Sequence, residues 1–153
     1  MKNRSIALAL IAGIVAWASA QADAPLAPLT QDAFLSLDRQ GDEAPFVLDV
    51  RTPDEYVAGH VPGAVNIPHD QIAARLAEVP KDRDVVLYCR SGRRTALAGQ
   101  VLADNGYTRL KHLEGDIAAW QERQRPMEVP RDPVACAAAL KAGKAKAEAC
   151  SAD

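Results

Sequence analysis

Two short apolar runs constrain this 153-residue chain more than anything else in it: Phe46-Val47-Leu48-Asp49-Val50 and Val85-Val86-Leu87-Tyr88. Neither alternates polar with apolar residues, so each suits a strand covered on both faces. Helix start and stop signals surround them. Thr30 predicts an N-cap for a helix through Arg39, with Phe34, Leu35 and Leu37 inward and Gly41 ending it. Pro53 opens a helical turn to Val57. Asp70 predicts a cap for a helix over 71–79, with Ile72, Leu76 and Val79 at helical spacing. A helix from Thr95 to Asn105 turns Leu97, Val101 and Leu102 inward and stops at Gly106. Ala64 to Ile67 and Leu110 to Leu113 read as further short strands, and Asp116 begins a helix through Arg123. Strands alternating with helices predict a parallel α/β sheet with helices on both faces.

The ends of the chain read differently. Lys2 and Arg4 precede an apolar stretch from Ile6 to Trp17, and Ala18-Ser19-Ala20 supplies the small-x-small pattern of a cleavage site. Residues 1–20 are therefore expected to be a signal peptide, with Ala20-Gln21-Ala22 a second acceptable site two residues on. A retained anchor is the competing reading, but the run is shorter than the ~18 to 20 residues of a spanning helix. The mature protein is expected in a bacterial periplasm, with no membrane contact after cleavage. Residues 21–29, rich in alanine and proline, read as a linker, 30–130 as the domain and 131–153 as a tail. The formal net charge is −2 and becomes more acidic once Lys2 and Arg4 are gone, which argues against nucleic acid as a partner.

Against that acidic background, Cys89-Arg90-Ser91-Gly92-Arg93-Arg94 is a local concentration of cations directly after the second apolar run. Strand ends in parallel sheets are where ligands bind. Loop N–H groups there can curl around the sulfur, and the helix N-terminus and the arginines reinforce their partial positive charge. The same field favours a thiolate and an anionic substrate, so Cys89 reads as a nucleophile, with Arg90, Ser91, Gly92, Arg93 and Arg94 holding the substrate. An inert buried cysteine would not need three cations within five residues. No general base is apparent nearby, and attack by a pre-formed thiolate requires none. The loop is expected to leave Cys89 accessible to a second reactant.

With this order and these spacings the chain resembles the single-domain rhodaneses over about Phe46 to Val129. The motifs are Leu48-Asp49-Val50-Arg51 with Pro53-Asp54-Glu55-Tyr56, the segment Gly59 to Pro68, the segment Val86 to Arg94, and Leu113-Glu114-Gly115 followed by Trp120. The resemblance implies a parallel five-stranded sheet flanked by helices. It implies a thiosulfate sulfurtransferase, in which Cys89 takes a sulfane sulfur from a small anionic donor such as thiosulfate. The persulfide would pass its sulfur to a thiol, to cyanide or to a protein acceptor, without cofactor or metal. Asp49 and Arg51 fall beside the mouth of the site, where a pairing that shapes the sheet edge is as good a reading as direct catalysis. Similar sequences often carry two glycines where this one has Gly115-Asp116. An aspartate there is a sound N-cap, though a carboxylate aimed at the loop would weaken anion binding. His60 and His112 are assigned no catalytic role.

Two rival readings follow from the same residues. A cysteine phosphatase or arsenate reductase needs Cys-x5-Arg; that position is Thr95, and the last arginine falls one residue early. A non-enzymatic rhodanese-like module, carrying sulfur or binding a partner, would be expected to lose the thiol or the cations, and both are present. Cys136 and Cys150 lie in the alanine- and lysine-rich tail with Gly143 between them. On one continuous helix they would be about 21 Å apart, beyond disulfide reach. A turn near Gly143 would make a helical hairpin and allow a Cys136–Cys150 disulfide, leaving Cys89 free.

Overall fold

The computed structural model describes residues 26–41, 43–144 and 148–151, so the expected signal peptide and most of the expected linker lie outside the described residues. The strands are β1 (Ala27–Leu29), β2 (Phe46–Asp49), β3 (Val65–Asn66), β4 (Val85–Tyr88) and β5 (Leu110–Leu113). The helices are α1 (Gln31–Leu35), α2 (Pro53–Val57), α3 (Arg93–Asp104), α4 (Asp116–Glu122) and α5 (Pro133–Lys141). All five strands run parallel in the order β1-β5-β4-β2-β3. Their carboxyl ends therefore share one edge of the molecule.

Period-two alternation divides the core between the two faces of the sheet. Val47, Val86, Tyr88 and Leu113 face one way and pack with Phe34, Tyr56, Ile117 and Trp120 from α1, α2 and α4. Leu48, Val50, Val85, Leu87 and Cys89 face the other way, against Ala98 and Leu102 of α3 and against Ile72, Val79 and Tyr107. β4 is buried at all four positions, as a continuously apolar central strand requires. Cys89 thus belongs to the α3 face and Tyr88 to the opposite one.

Several expectations are corrected by packing. The linker does not reach residue 29: Ala27 to Leu29 pair with Lys111 to Leu113 as an edge strand, a position that tolerates Pro28. α1 ends at Leu35 with Ser36 as its C-cap, and of the three apolar positions only Phe34 is buried, while Leu35 and Leu37 are each 39% exposed. Residues 71–79 form two 3-10 turns, Ile72–Ala74 and Leu76–Glu78, not one helix. No side chain caps either turn, and the Tyr107 hydroxyl takes the Leu76 and Val79 carbonyls. α3 begins two residues early and buries Thr95, Ala98, Gly99 and Leu102, leaving Leu97 51% exposed.

The tail is part of the main core. Cys136 and Cys150 form a disulfide with Cα atoms 4.8 Å apart, and both pack with Leu140 and Tyr56 on the α2 face. Gly143, at φ 80°, turns the chain after α5 as the sequence suggests. The returning limb is one 3-10 turn, Glu148–Cys150, rather than a second helix. A Cys136→Ser/Cys150→Ser variant should lose about 2–4 kcal/mol of stability in urea unfolding. An unfolding midpoint that does not move would show that the bridge contributes nothing to the fold.

Candidate functional site

The site grows from the end of β4. Gly92, at φ 92°, is the N-cap of α3 and lies in the left-handed region that a side chain disfavours. That turn swings the Gly92 N–H onto the Cys89 Sγ at 3.1 Å. Cys89 is the free cysteine, and the residue is 1% exposed. Access was expected to be open, but the sulfur instead lies at the floor of the loop. It shares the α3 face with Ala98, and the loop's own backbone covers it. Above it Arg90, Ser91 and Arg93 are exposed, while Gly92 and Arg94 are half-buried.

The three loop arginines differ in how they are held. Arg94 makes a bidentate pair with Glu55, at 2.6 and 2.8 Å, and its guanidinium also interacts with Cys89. Glu55 is the third helical residue of a capping box in which Thr52 and Glu55 satisfy each other's backbone N–H groups. The Arg94 hydrogen bonds, opposed by burial and aided by Thr52, pull the Glu55 carboxyl down to about 2. Among the described residues, no ion pair engages Arg90 or Arg93. They are the cations left to meet an anion.

Asp49 and Arg51 are both buried, and they pair with Nη2 to Oδ2 at 2.5 Å. Asp49 also accepts the Arg51 backbone N–H and the Tyr88 hydroxyl, and Arg51 donates to the Gly59 carbonyl. Burial, with the Asp49 charge added, pushes the Tyr88 hydroxyl well above the usual tyrosine range, so it stays a neutral donor. Arg51 borders a cleft of about 280 Å³, with Glu55, Ala58, Gly59, Arg90, Ile117 and Gln121 forming the rest of its wall. Of the residues singled out in the sequence, Arg51 and Arg90 meet in this cleft, and Cys89, Gly92 and Arg94 meet at the sulfur. Cys136 and Cys150 take no part in the site.

Two residues, Glu55 and His112, were missed, and a third, Asp116, was read chiefly as an N-cap. Glu55 stood in a quoted motif, and the Thr52-to-Glu55 capping pattern was visible, but its partner Arg94 lies 39 positions away. Asp116 is not a side-chain N-cap: Gly115 occupies that position, and the Asp116 carboxylate turns back to accept the Cys89 N–H at 2.7 Å. His112 lies 2.9 Å from the same carboxylate and so joins the site. His60, by contrast, stacks on Tyr56 at 3.7 Å between centroids and bridges to Glu128 through its backbone.

A family model described as Rhodanese-like domain matches residues 30–123, a span that excludes β1 and α5. The chain is 44% identical over 84 residues to a sulfurtransferase of Allochromatium vinosum, covering 55% of this chain and 78% of that one. It is 41% identical over 75 residues to the thiosulfate sulfurtransferase PspE of Escherichia coli, covering 46% and 72%. The solved Alr3790 protein from Anabaena shares the fold with a TM-score of 0.64 at 24% identity, over 80% of this chain and 96% of that one.

The sign of the Glu55 effect is testable. A carboxyl held below its ordinary 4.5 contributes stability that is present above that value and is lost as pH falls towards 2. Native protein should melt above a Glu55→Gln variant at neutral pH, by a margin that is constant down to about pH 5 and then shrinks. A margin independent of acidity would show that the pair does not stabilise the folded state.

Proposed function

The chain belongs to the rhodanese-like family, and on that premise we propose that it moves a sulfane sulfur from a small anionic donor such as thiosulfate to a thiophilic acceptor through a persulfide on Cys89. The observation that carries this is the Gly92 N–H aimed at the Cys89 sulfur beneath a rim holding Arg90 and Arg93. Oriented N–H groups and guanidinium groups stabilise a thiolate and an arriving oxyanion alike.

In the first half-reaction the Cys89 thiolate attacks the outer sulfur of thiosulfate. The new S–S bond forms as the donor's own S–S bond breaks, and the bonding pair leaves with sulfite. In the second, a thiolate or cyanide attacks the outer sulfur of the persulfide, and the pair returns to Cys89. No net oxidant or proton donor is needed. The 280 Å³ cleft beside Arg90 is large enough to admit small reactants to the rim.

Phosphoryl transfer has less support. The sixth residue after the cysteine is Thr95, whose hydroxyl donates to Asp116 at 3.2 Å, so no guanidinium closes the loop there. We further propose that the protein works in the periplasm after removal of residues 1–20. The basic and apolar leader supports this, as does a disulfide of the kind that persists in oxidising compartments.

Thiosulfate treatment should add one sulfur (about 32 Da) to Cys89 of the native protein and none to Cys89→Ser, as read by mass spectrometry. Cyanide or a thiol should then discharge it catalytically. Turnover by Cys89→Ser at the native rate would overturn the proposal. A persulfide that no acceptor discharges would make the protein a sulfur carrier rather than an enzyme.

A further inference from the structure

Asp116 breaks a local backbone rule. Its φ is 53°, in the left-handed region, and it follows Gly115, itself at 75°. Aspartate tolerates that region better than most residues, but strain held beside a nucleophile asks what the side chain supplies. The carboxylate is buried and fully engaged. Oδ1 accepts the Cys89 N–H at 2.7 Å and the Thr95 hydroxyl at 3.2 Å, and Oδ2 meets the His112 Nε2 at 2.9 Å. A Cβ placed on Gly92 would lie 3.5 Å from both Asp116 Oδ2 and His112 Cε1. The pair therefore packs directly behind the glycine whose N–H holds the sulfur.

A negative charge thus sits behind a loop whose outer face offers Arg90 and Arg93 to anions. Left uncompensated, it opposes them through a short, poorly screened path. His112 is placed to supply the compensating cation. We propose that His112 and Asp116 form a positioning pair that sets the anion affinity of the Cys89 loop. Asp116 fixes the first N–H of the loop, and protonated His112 cancels the carboxylate's charge, so affinity for anionic reagents falls when His112 loses its proton.

The surroundings of His112 support this. The Asp116 hydrogen bond raises its pKa first, burial opposes, and the charges of Asp116 and Glu114 add to the rise. The imidazolium therefore persists above the ordinary histidine range and is lost at higher pH. Its in-register neighbours, Leu87 on β4 and Pro28 on β1, carry no charge. Beside it on β5, Lys111 is paired with Asp84. From α1, Gln31 offers only an amide, which donates to the Glu114 and Asp116 carbonyls. From the loop it is Gly92 that lies against His112, and the charges that act on the ring are those of Asp116 and Glu114.

The inference rests on the anionic donor of the proposed sulfur transfer, but its test needs no sulfur. Cys89 in the full chain is alkylated with iodoacetate and with iodoacetamide from about pH 5.5 to about pH 9.5. Both reagents attack the thiolate, so the ratio of their rates cancels its ionisation and reports anion preference alone. The ratio should fall about threefold or more across the His112 titration in native protein. Asp116→Asn should keep the ratio above the native one and move its fall to lower pH, because His112 still titrates there without the carboxylate, and His112→Gln should hold it flat at the low value. His112 is half-buried, so its variant keeps the test alive if Asp116→Asn fails to fold. NMR titration of His112 should show a raised midpoint that falls in Asp116→Asn. A flat native ratio, or a native-like fall in both variants, would overturn the pair. Thiosulfate loading of the same samples separates the two ideas. A pH-dependent ratio without sulfur on Cys89 supports the pair and rejects the transfer, whereas loading with a flat ratio does the reverse.

Discussion

Two buried carboxylates, Asp49 and Asp116, have to be satisfied at the carboxyl edge of the sheet, and the arrangement of that edge follows from how this is done. β4 ends between them and donates to both. The Tyr88 hydroxyl, on one face, reaches Asp49 at 2.7 Å, and the Cys89 N–H reaches Asp116 at the same distance. Asp49 also binds Arg51 and through it the Gly59 carbonyl, so β2, β4 and the segment after α2 are locked together. Removing one partner of such a buried pair costs about 3–5 kcal/mol, because the other charge is left unanswered. Each carboxylate acts less as a net source of stability than as a pin that fixes geometry.

The chemistry depends on that rigidity. A thiol at a strand end is ordinary; a thiol beneath a left-handed glycine with an N–H on its sulfur is prepared for charge. The loop's cations are divided by function. Arg94 is held by Glu55 on α2 and ties the loop to the sheet's other layer, whereas Arg90 and Arg93 remain at the rim. α5 and its disulfide lie on the same side as α2, outside the segment matched by the family model. They brace the helix that carries Glu55.

The parallel sheet, the Cys89 loop and the start of α2 were legible because each is written locally, as an apolar run, a glycine among arginines, or a capping pattern. What sequence could not show is long-range. β1 lacks any apolar run and exists because β5 offers an open edge to Ala27–Leu29. The expected helix over 71–79 has the right periodicity, but the backbone breaks at Arg75 (φ −127°) into two 3-10 turns, a choice that apolar spacing does not record. Leu97 has helical spacing and still faces water, since α3 presents Thr95, Ala98, Gly99 and Leu102 to the sheet. Asp116 was legible as a departure from the family pattern and misread in role. An N-cap explanation sufficed locally, and the alternative, a carboxylate aimed at the loop, is the one the structure adopts. The burial of Cys89 belongs to the same class, being a consequence of how Gly92 folds over it.

The central claim is that the Gly92 N–H, rather than a side-chain base, holds the charge on the Cys89 sulfur in the proposed transfer. Amide NMR spectra of the native chain before and after one sulfur atom is placed on Cys89 address it directly. The account predicts the largest amide shift at Gly92, with smaller ones along the loop, and a protein otherwise unchanged. A Cys89 persulfide that leaves the Gly92 amide where it was would contradict it.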